Sequence, residues 1–176
     1  MTPSASTDAH REQAPTVASF ALLTVSDTRT EATDTTGARM RALVLAAGHA
    51  VHATAIVPDE PHLVRDRVAA WAAEPGCEVI VASGGTGLSA RDRTVEAVDA
   101  LFETRIEGFG EIFRMLSFAE VGSAAILSRA RAGVIRGRPV FLLPGSGHAV
   151  ELAMTRIVLP EIGHVLFELR RHGLRS

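Results

Sequence analysis

A glycine-rich stretch followed by charged residues carries the clearest chemical signal in this sequence. It runs from Ser83 to Gly87, and Arg91, Asp92 and Arg93 follow it closely. Glycine lets backbone N–H groups approach an anion closely and allows a positive φ at no steric cost. A carboxylate and two guanidinium groups beside such a loop favour a site for a phosphorylated ligand.

Two familiar phosphate-binding motifs do not fit this loop. A Walker loop requires a lysine directly after its glycines, and the chain contains eighteen arginines but no lysine. The glycines at 84, 85 and 87 also lack the spacing of the dinucleotide fingerprint. Because many strand-to-helix turns use glycine for geometry alone, the loop taken by itself leaves a structural role open.

Four aspartates fall near the predicted ends of strands and add a possible cation site. They are Asp27, Asp34, Asp59 and Asp92. Paired carboxylates suit Mg²⁺, which takes one or two of them and completes its shell with water and phosphate oxygens. Asp34 and Asp59 could instead cap helices, and Asp27 could only shape a turn. His148 could donate to a phosphate or simply face solvent.

Composition excludes several other classes of function. A net charge of −2 with scattered arginines, seven Phe, one Trp and no Tyr argues against a nucleic-acid surface. Cys77 is the only cysteine, which excludes an internal disulfide and a cysteine metal site. The seven histidines show no metal-ligand spacing. No apolar run reaches transmembrane length, so the cytoplasm is the expected location.

The order of apolar runs predicts an α/β domain with a mostly parallel, doubly wound sheet. Strands are predicted at about 18–25, 50–57, 79–82 and 139–143. Helices are predicted at about 37–47, 61–73, 93–101, 107–121 and 148–170, the last interrupted near Pro160. Residues 1–15 are polar and are expected to form a disordered tail, whereas residues 16–176 are expected to form one domain.

Four loops follow the predicted parallel strands and should meet at one edge of the sheet. They are residues 26–29, 58–59, 83–87 and 144–147. Open α/β sheets bind ligands outside the carboxyl ends of their strands. Convergence of four polar or glycine-rich loops at that edge favours a ligand site more strongly than any single motif does.

Six short motifs together resemble the MoaB/MogA family of molybdenum cofactor biosynthesis proteins, and the resemblance covers about residues 20–166. The motifs are LLTVSDTR (22–29), DTTG (34–37), GGTGLSARD (84–92), EGFGEIFR (107–114), LSRA (127–130) and LPGS (143–146). The segment 107–114 is similar to the MoaB branch in particular. The resemblance implies a three-layer α/β/α fold that binds molybdopterin.

Active members of this family transfer AMP from ATP to the terminal phosphate of molybdopterin, with magnesium. The resemblance implies that Asp59 and Asp92 are catalytic and hold Mg²⁺. It also implies a molybdopterin and phosphate site formed by Ser26, Asp27, Gly84, Gly85, Thr86, Gly87, Ser128, Pro144, Gly145 and Ser146. Some MoaB-type members lack an acidic residue at the position of Asp59, and its presence here favours activity.

Alternatives to the adenylyltransferase remain at this point. A non-catalytic carrier of molybdopterin would bind the pterin without chemistry, and an unrelated nucleotide-binding regulator would bind ATP without the pterin. Gly147 departs from the family pattern, in which proline is common at that place in the last loop. The resemblance, together with an excess of apolar residues in 107–121, predicts a homo-oligomer, a trimer or a hexamer.

Overall fold

A computed structural model describes residues 17–173, which form a single six-stranded sheet flanked by helices. The strands are β1 (Ser19–Val25), β2 (Ala50–Val57), β3 (Val79–Ser83), β4 (Thr104–Arg105), β5 (Arg131–Ile135) and β6 (Arg138–Leu143). Their order across the sheet is β2-β1-β3-β6-β5-β4. Neighbours among β2, β1, β3 and β6 are parallel, whereas β5 is antiparallel to both β6 and β4.

Helices connect these strands and cover both faces of the sheet. They are α1 (Thr35–Ala46), α2 (Pro61–Ala73), α3 (Thr94–Asp99), α4 (Glu107–Val121), α5 (Gly147–Ala153) and α6 (Leu159–Gly173), with a 3₁₀ segment (Gly122–Leu127) and a π-helical segment (Met154–Val158). Among residues 17–173, no helix is both long and apolar enough to cross a membrane. The predicted tail, residues 1–15, lies outside the described residues.

Alternation along the central strands divides the core into two layers. On β1, Phe20 and Leu22 point into one cluster, while Ala21 and Leu23 point into the other. Helices α1, α4, α5 and α6 contribute to the first cluster, and α2 and α3 contribute to the second. Because strands buried on both faces read as continuous apolar runs, these strands were visible in the sequence. The three-layer α/β/α fold and the mostly parallel sheet are confirmed.

Two strands differ from the sequence predictions, and the predicted interruption of the last helix is confirmed. The antiparallel strands β4 and β5 are absent from those predictions, since β4 has only two residues and β5 only five. The β5–β6 hairpin turns at Arg136 and Gly137, whose φ angles are 50° and 72°, as a two-residue type I′ turn requires. As predicted, the last helix is interrupted near Pro160: a π-helical segment occupies Met154–Val158, where the missing proline N–H disturbs helical hydrogen bonding.

The N-termini of α1 and α2 show whether Asp34 and Asp59 cap these helices. The side chain of Asp34 accepts from the N–H of Gly37 at 2.8 Å and caps α1. Helix α2 begins after Glu60, and no side chain caps it. The interpretation of Asp59 as the cap of α2 was therefore wrong, because that helix starts with Pro61, which needs no partner for a missing N–H.

Candidate active site

A cavity of about 530 Å³ opens at the carboxyl ends of β1, β3 and β6. Most of the predicted site residues line it: Ser26, Gly84, Gly85, Thr86, Gly87, Asp92, Ser128, Pro144, Gly145 and Ser146. Asp27 and Asp59 do not line it. The loops after these three parallel strands therefore meet at one edge, and the 58–59 loop lies beside them.

Residues 83–87 form the first glycine loop, and two of its glycines have positive φ. The φ angles are 113° at Gly84 and 63° at Gly85. A Cβ on Gly84 would lie 2.2 Å from the carbonyl oxygen of Val25, and one on Gly85 would lie 2.1 Å from Thr94 Oγ1. Only glycine fits at these two positions, so the loop can approach a ligand with bare backbone.

The backbone amides of this loop divide into one structural and three available donors. The N–H of Gly84 donates to the carbonyl of Leu143 at 3.1 Å. The N–H groups of Gly85, Thr86 and Gly87 donate to no acceptor within residues 17–173. Consecutive free N–H groups in a glycine-rich turn form a concave donor surface suited to an anion such as phosphate.

Residues 144–147 form the second glycine loop, which is held by side-chain hydroxyls. The hydroxyl of Ser83 donates to the carbonyl of Pro144 at 3.0 Å, and that of Thr36 donates to the carbonyl of Gly145 at 3.3 Å. These bonds tie the loop to β3 and to α1. The wall of the cavity formed by the second glycine loop is therefore fixed by its neighbours.

Ser26 shapes the loop after β1. Its Oγ accepts from the N–H groups of Thr28 and Arg29, each at 3.3 Å. Arg29 also lines the cavity, and its Nη1 donates to the carbonyl of Thr33 at 2.6 Å. A guanidinium at the rim of this cavity would favour a negatively charged ligand.

Asp92 lies in the cavity wall directly behind the first glycine loop. Its Oδ2 accepts from the N–H of Ser89 at 3.0 Å, and a Cβ on Gly87 would lie 2.8 Å from the same oxygen. Helix α3 starts at Thr94, with Arg93 as its N-cap and no side-chain cap. Asp92 is therefore not the side-chain cap of α3, and its carboxylate faces the loop that lines the cavity.

Asp59 and Asp27 form a separate acidic group beside the first glycine loop. The N–H of Asp59 donates to Asp27 Oδ1 at 3.0 Å, and Arg91 pairs with Asp27 Oδ2. A Cβ on Gly85 would lie 2.8 Å from Asp59 Oδ1. Burial, followed by the charges of Asp92 and Asp27, raises the pKa of Asp59 above its ordinary value.

The residues present fit a cation that is shared with a ligand. Asp59 Oδ1 and Thr94 Oγ1 are buried oxygens that find no hydrogen-bond partner in the described part of the chain, and both lie next to Gly85. Within residues 17–173, no group of three or more His, Cys, Asp or Glu is arranged to hold a metal. Two carboxylates can nevertheless serve Mg²⁺, because it commonly takes its remaining ligands from phosphate oxygens and water.

Several cavity residues were not singled out as site residues from the sequence. The apolar part of the lining comes mainly from α4 and the 3₁₀ segment, with Phe113, Val121, Ala124, Ala125, Leu127 and, from α5, Leu152. Glu120 also lines the cavity and lies 3.2 Å from His148, between Oε2 and Nε2. The helical period of 113, 117, 120 and 121 could have indicated that α4 turns one face to the cavity.

A doubly wound sheet with two glycine loops and an acidic residue around a cavity at the carboxyl ends of its strands is the arrangement of an α/β protein with a ligand site at the sheet edge. The family model for a probable molybdopterin binding domain matches residues 21–164. The chain therefore belongs to the MoaB/MogA family of molybdenum cofactor biosynthesis proteins.

Individual relatives support the same assignment. The molybdenum cofactor biosynthesis protein B of Bacillus cereus is 46% identical over 163 residues, which covers 92% of this chain and 96% of that protein. A crystal structure of a molybdenum cofactor biosynthesis protein B is 46% identical with a TM-score of 0.87, covering 90% of this chain and 99% of that one. The tungsten cofactor synthesizing protein MoaB from Pyrococcus furiosus is 37% identical with a TM-score of 0.79, covering 89% and 99%.

Proposed function

We propose that this protein binds molybdopterin in the 530 Å³ cavity and transfers AMP from ATP to its terminal phosphate. The observation that carries the proposal is the first glycine loop, whose free N–H groups at Gly85, Thr86 and Gly87 lie beside the carboxylate of Asp92. This arrangement places N–H donors for a phosphate beside a carboxylate that could bind a cation.

The two sides of the cavity suit the two ends of a phosphorylated pterin. The first glycine loop supplies backbone donors for the phosphate end. The apolar part of the lining, which includes Phe113, Val121 and Leu127, supplies surface against which a flat heterocycle can pack. Binding both ends would orient the phosphate toward Asp92, and positioning of this kind supplies much of the catalysis in phosphoryl and nucleotidyl transfer.

Asp92 and Asp59 are the proposed acidic residues of the reaction. Mg²⁺ held by them would neutralise the negative charge that two polyanions bring together. The raised pKa of Asp59, caused by burial and then by the charges of Asp92 and Asp27, indicates that a cation here would relieve an existing repulsion. Groups with such perturbed titration cluster at functional sites.

Incubation of the protein with molybdopterin and Mg-ATP tests the proposal. We expect pyrophosphate and adenylylated molybdopterin to form in equal amounts, and to be absent when either substrate or the protein is omitted. A fluorescence titration of molybdopterin on the same preparation measures binding separately. Binding without pyrophosphate would refute AMP transfer, and failure of both would refute the whole proposal.

A carrier that binds molybdopterin without chemistry is the second candidate function. The observation that favours it is the position of Asp59, which lies beside the first glycine loop but outside the cavity wall. In that case the pterin would bind, and neither ATP nor Mg²⁺ would change its affinity. The same titration, repeated with Mg-ATP present, separates the carrier from the enzyme.

We also propose that the protein works as a homo-oligomer, a trimer or a hexamer. Helix α4 buries Phe109 and Phe113 against the sheet, yet its other face exposes Met115 (63%) and Phe118 (60%). Ile126 in the adjoining 3₁₀ segment is 77% exposed. Contiguous exposed apolar surface of this kind usually marks an interface.

Light scattering on the purified protein measures this assembly. We expect a mass of at least three chains, and we expect Phe118→Glu to lower it. Glu111→Gln, an exposed polar change on the same helix, serves as the control. A stable monomer at micromolar concentration would contradict the proposal.

A further inference from the structure

Arg129 lies outside the cavity wall and contacts the first glycine loop, Asp92 and helix α3 at once. Its Nε donates to the carbonyl of Thr86 at 3.3 Å, and its Nη2 donates to the carbonyl of Asp92 at 2.5 Å. Its Nη1 pairs with Glu96 Oε1 at 2.5 Å. The side chain is only 25% exposed, so these contacts are partly shielded from solvent.

The rigid fork of a guanidinium is what allows this set of contacts. Its N–H groups have fixed directions within one plane, so three acceptors around it are held at fixed relative positions. Two of those acceptors are backbone carbonyl groups. One belongs to Thr86, within the first glycine loop, and the other belongs to Asp92, five residues after the loop ends. The third is on α3, immediately behind them.

We propose that Arg129 is a positioning residue that fixes the spacing between the phosphate-binding amides of the first glycine loop and the carboxylate of Asp92. The inference rests on the proposed function, since it assigns that spacing a role in AMP transfer. Arg129 does not line the cavity, so it acts through the two carbonyl groups and not by touching the substrate.

The electrostatics around Arg129 support a stable contact. Burial favours the neutral form of Glu96, but the hydrogen bond and the charge of Arg129, a backbone hydrogen bond and the charge of Arg93 together outweigh it, so the pKa of Glu96 lies below its ordinary value. The segment that carries Arg129 is also held in place, because the N–H of Ala130 donates to Ser128 Oγ at 3.3 Å.

The neighbouring Arg131 provides a matched control. Its Nη1 donates to Asp99 Oδ1 at 3.0 Å, so it joins β5 to α3, as Arg129 joins the segment before β5 to α3. It makes no hydrogen bond to the first glycine loop within residues 17–173. Replacing each arginine by lysine keeps the positive charge and removes the fork in both cases.

The experiment compares Arg129→Lys with Arg131→Lys in molybdopterin titration, AMP transfer and backbone hydrogen exchange. For Arg129→Lys we expect kcat to fall on the order of 10²-fold, as a small misplacement of reacting groups can cause. Molybdopterin affinity should fall about tenfold, because a loop that is no longer held in place must be ordered when the phosphate binds. Amides within residues 84–92 should exchange faster, while those of β1 and β3 should not.

The control and a third variant make the result decisive. Arg131→Lys should stay within about twofold in all three measurements, because Asp99 keeps Arg105 as a second partner and, within residues 17–173, neither Asp99 nor Arg131 forms a hydrogen bond with the first glycine loop. Glu96→Gln removes the ion pair but leaves both carbonyl contacts, so it should also stay near wild type. If Glu96→Gln reproduces Arg129→Lys, or if Arg129→Lys leaves exchange in 84–92 and affinity unchanged, the proposal is overturned.

Two provisions keep the test informative. Circular dichroism verifies folding, and Arg129→Gln, which can still donate to one carbonyl, replaces Arg129→Lys if the lysine variant does not fold. Should the wild type bind molybdopterin but fail to transfer AMP, the proposed enzymatic function fails alone. Titration and hydrogen exchange would then still decide whether Arg129 holds the loop.

Discussion

The two glycine loops at the mouth of the cavity have similar compositions and very different local environments. In the first, a Cβ on Gly84 or Gly85 would lie 2.2 or 2.1 Å from a neighbouring oxygen, and both residues have positive φ. In the second, a Cβ on Gly145 would meet its nearest neighbour at 3.5 Å, and one on Gly147 would meet nothing within 4 Å. Neither of these two glycines has a positive φ.

This difference separates glycines that the fold requires from glycines that it merely tolerates. The first glycine loop needs glycine because its backbone packs closely against neighbours and has positive φ angles. The absence of side chains also leaves its N–H groups accessible to an anion. The second glycine loop is held by hydroxyls from Ser83 and Thr36. Its conformation therefore does not depend on glycine, although its residues also line the cavity.

Gly84→Ala should show the largest effect. The added Cβ would collide with a backbone carbonyl, that of Val25, which cannot move without disturbing β1. We expect a loss of about 2 kcal/mol or more of unfolding free energy, a drop in melting temperature on the order of 5 °C, and loss of molybdopterin binding. Thermal unfolding and pterin titration check both, and Gly147→Ala is the control. A wild-type melting temperature would mean that the loop can rearrange.

Asp92→Asn should separate binding from chemistry. Asparagine keeps an oxygen that can accept from the N–H of Ser89, so the turn is preserved. Pterin binding should persist or tighten slightly because a negative charge near the phosphate is gone. AMP transfer should fall by about 10²–10³, comparable to removal of one transition-state stabilising group.

Transfer and binding are measured on the same Asp92→Asn preparation. Asp66→Asn, on the exposed face of α2, is the control for an unrelated carboxylate. An unchanged transfer rate would remove Asp92 from the mechanism. The first glycine loop would then differ from the second in its packing but not in its chemistry.

Asp59→Asn should make the protein more stable at neutral pH while lowering AMP transfer. Burial, then the charges of Asp92 and Asp27, raise the pKa of Asp59 above its ordinary 3.8. Between that value and the raised one, the folded state binds more protons than the unfolded state, so stability falls as pH rises. Above the raised pKa the whole penalty is present, and asparagine removes it.

The melting temperature of Asp59→Asn relative to wild type, followed from neutral pH downwards, tests this sign. The gain should shrink as the pH falls and disappear once Asp59 is protonated in both folded and unfolded states. A lower melting temperature at neutral pH would show that the carboxylate of Asp59 stabilises the loop. The inference that Asp92 and Asp27 repel Asp59 would then be wrong.

Sequence reasoning predicted the parallel half of the sheet well, for identifiable reasons. The strands β1 and β3 are apolar runs with clear limits, β2 alternates, and α2 begins at a proline, so their bounds agree closely with prediction. Strand β4 has two residues, too few to show any period, and β5 contains Gly133. The antiparallel half was missed because short strands depend on their partners rather than on a local pattern.

The same distinction applies to the candidate site. The glycines and Asp92 could be found because their residue types and spacing carry the chemistry. Arg129 could not be assigned its contacts, since two of its acceptors are backbone carbonyls more than thirty residues away in sequence. Likewise, the capping role expected for Asp59 was a local inference, whereas its observed neighbours, Asp27 and Gly85, come from other loops.

Gly147→Pro should have the smallest effect and should be stabilising. Gly147 is the first residue of α5, where proline is favoured because its N–H has no helical partner. Ser146 already has φ −78° and ψ 136°, which proline requires of the residue before it, and its side chain caps Ala149. We expect a gain of about 0.4–1 kcal/mol and a rise in melting temperature of about 1–4 °C, because proline restricts the unfolded chain. Thermal unfolding measures it beside Gly147→Ala, which lacks the ring but shares the added Cβ. A lower melting temperature for proline alone would show that the second glycine loop needs a conformation that proline forbids. Both loops would then depend on glycine, and they would differ only in how strongly.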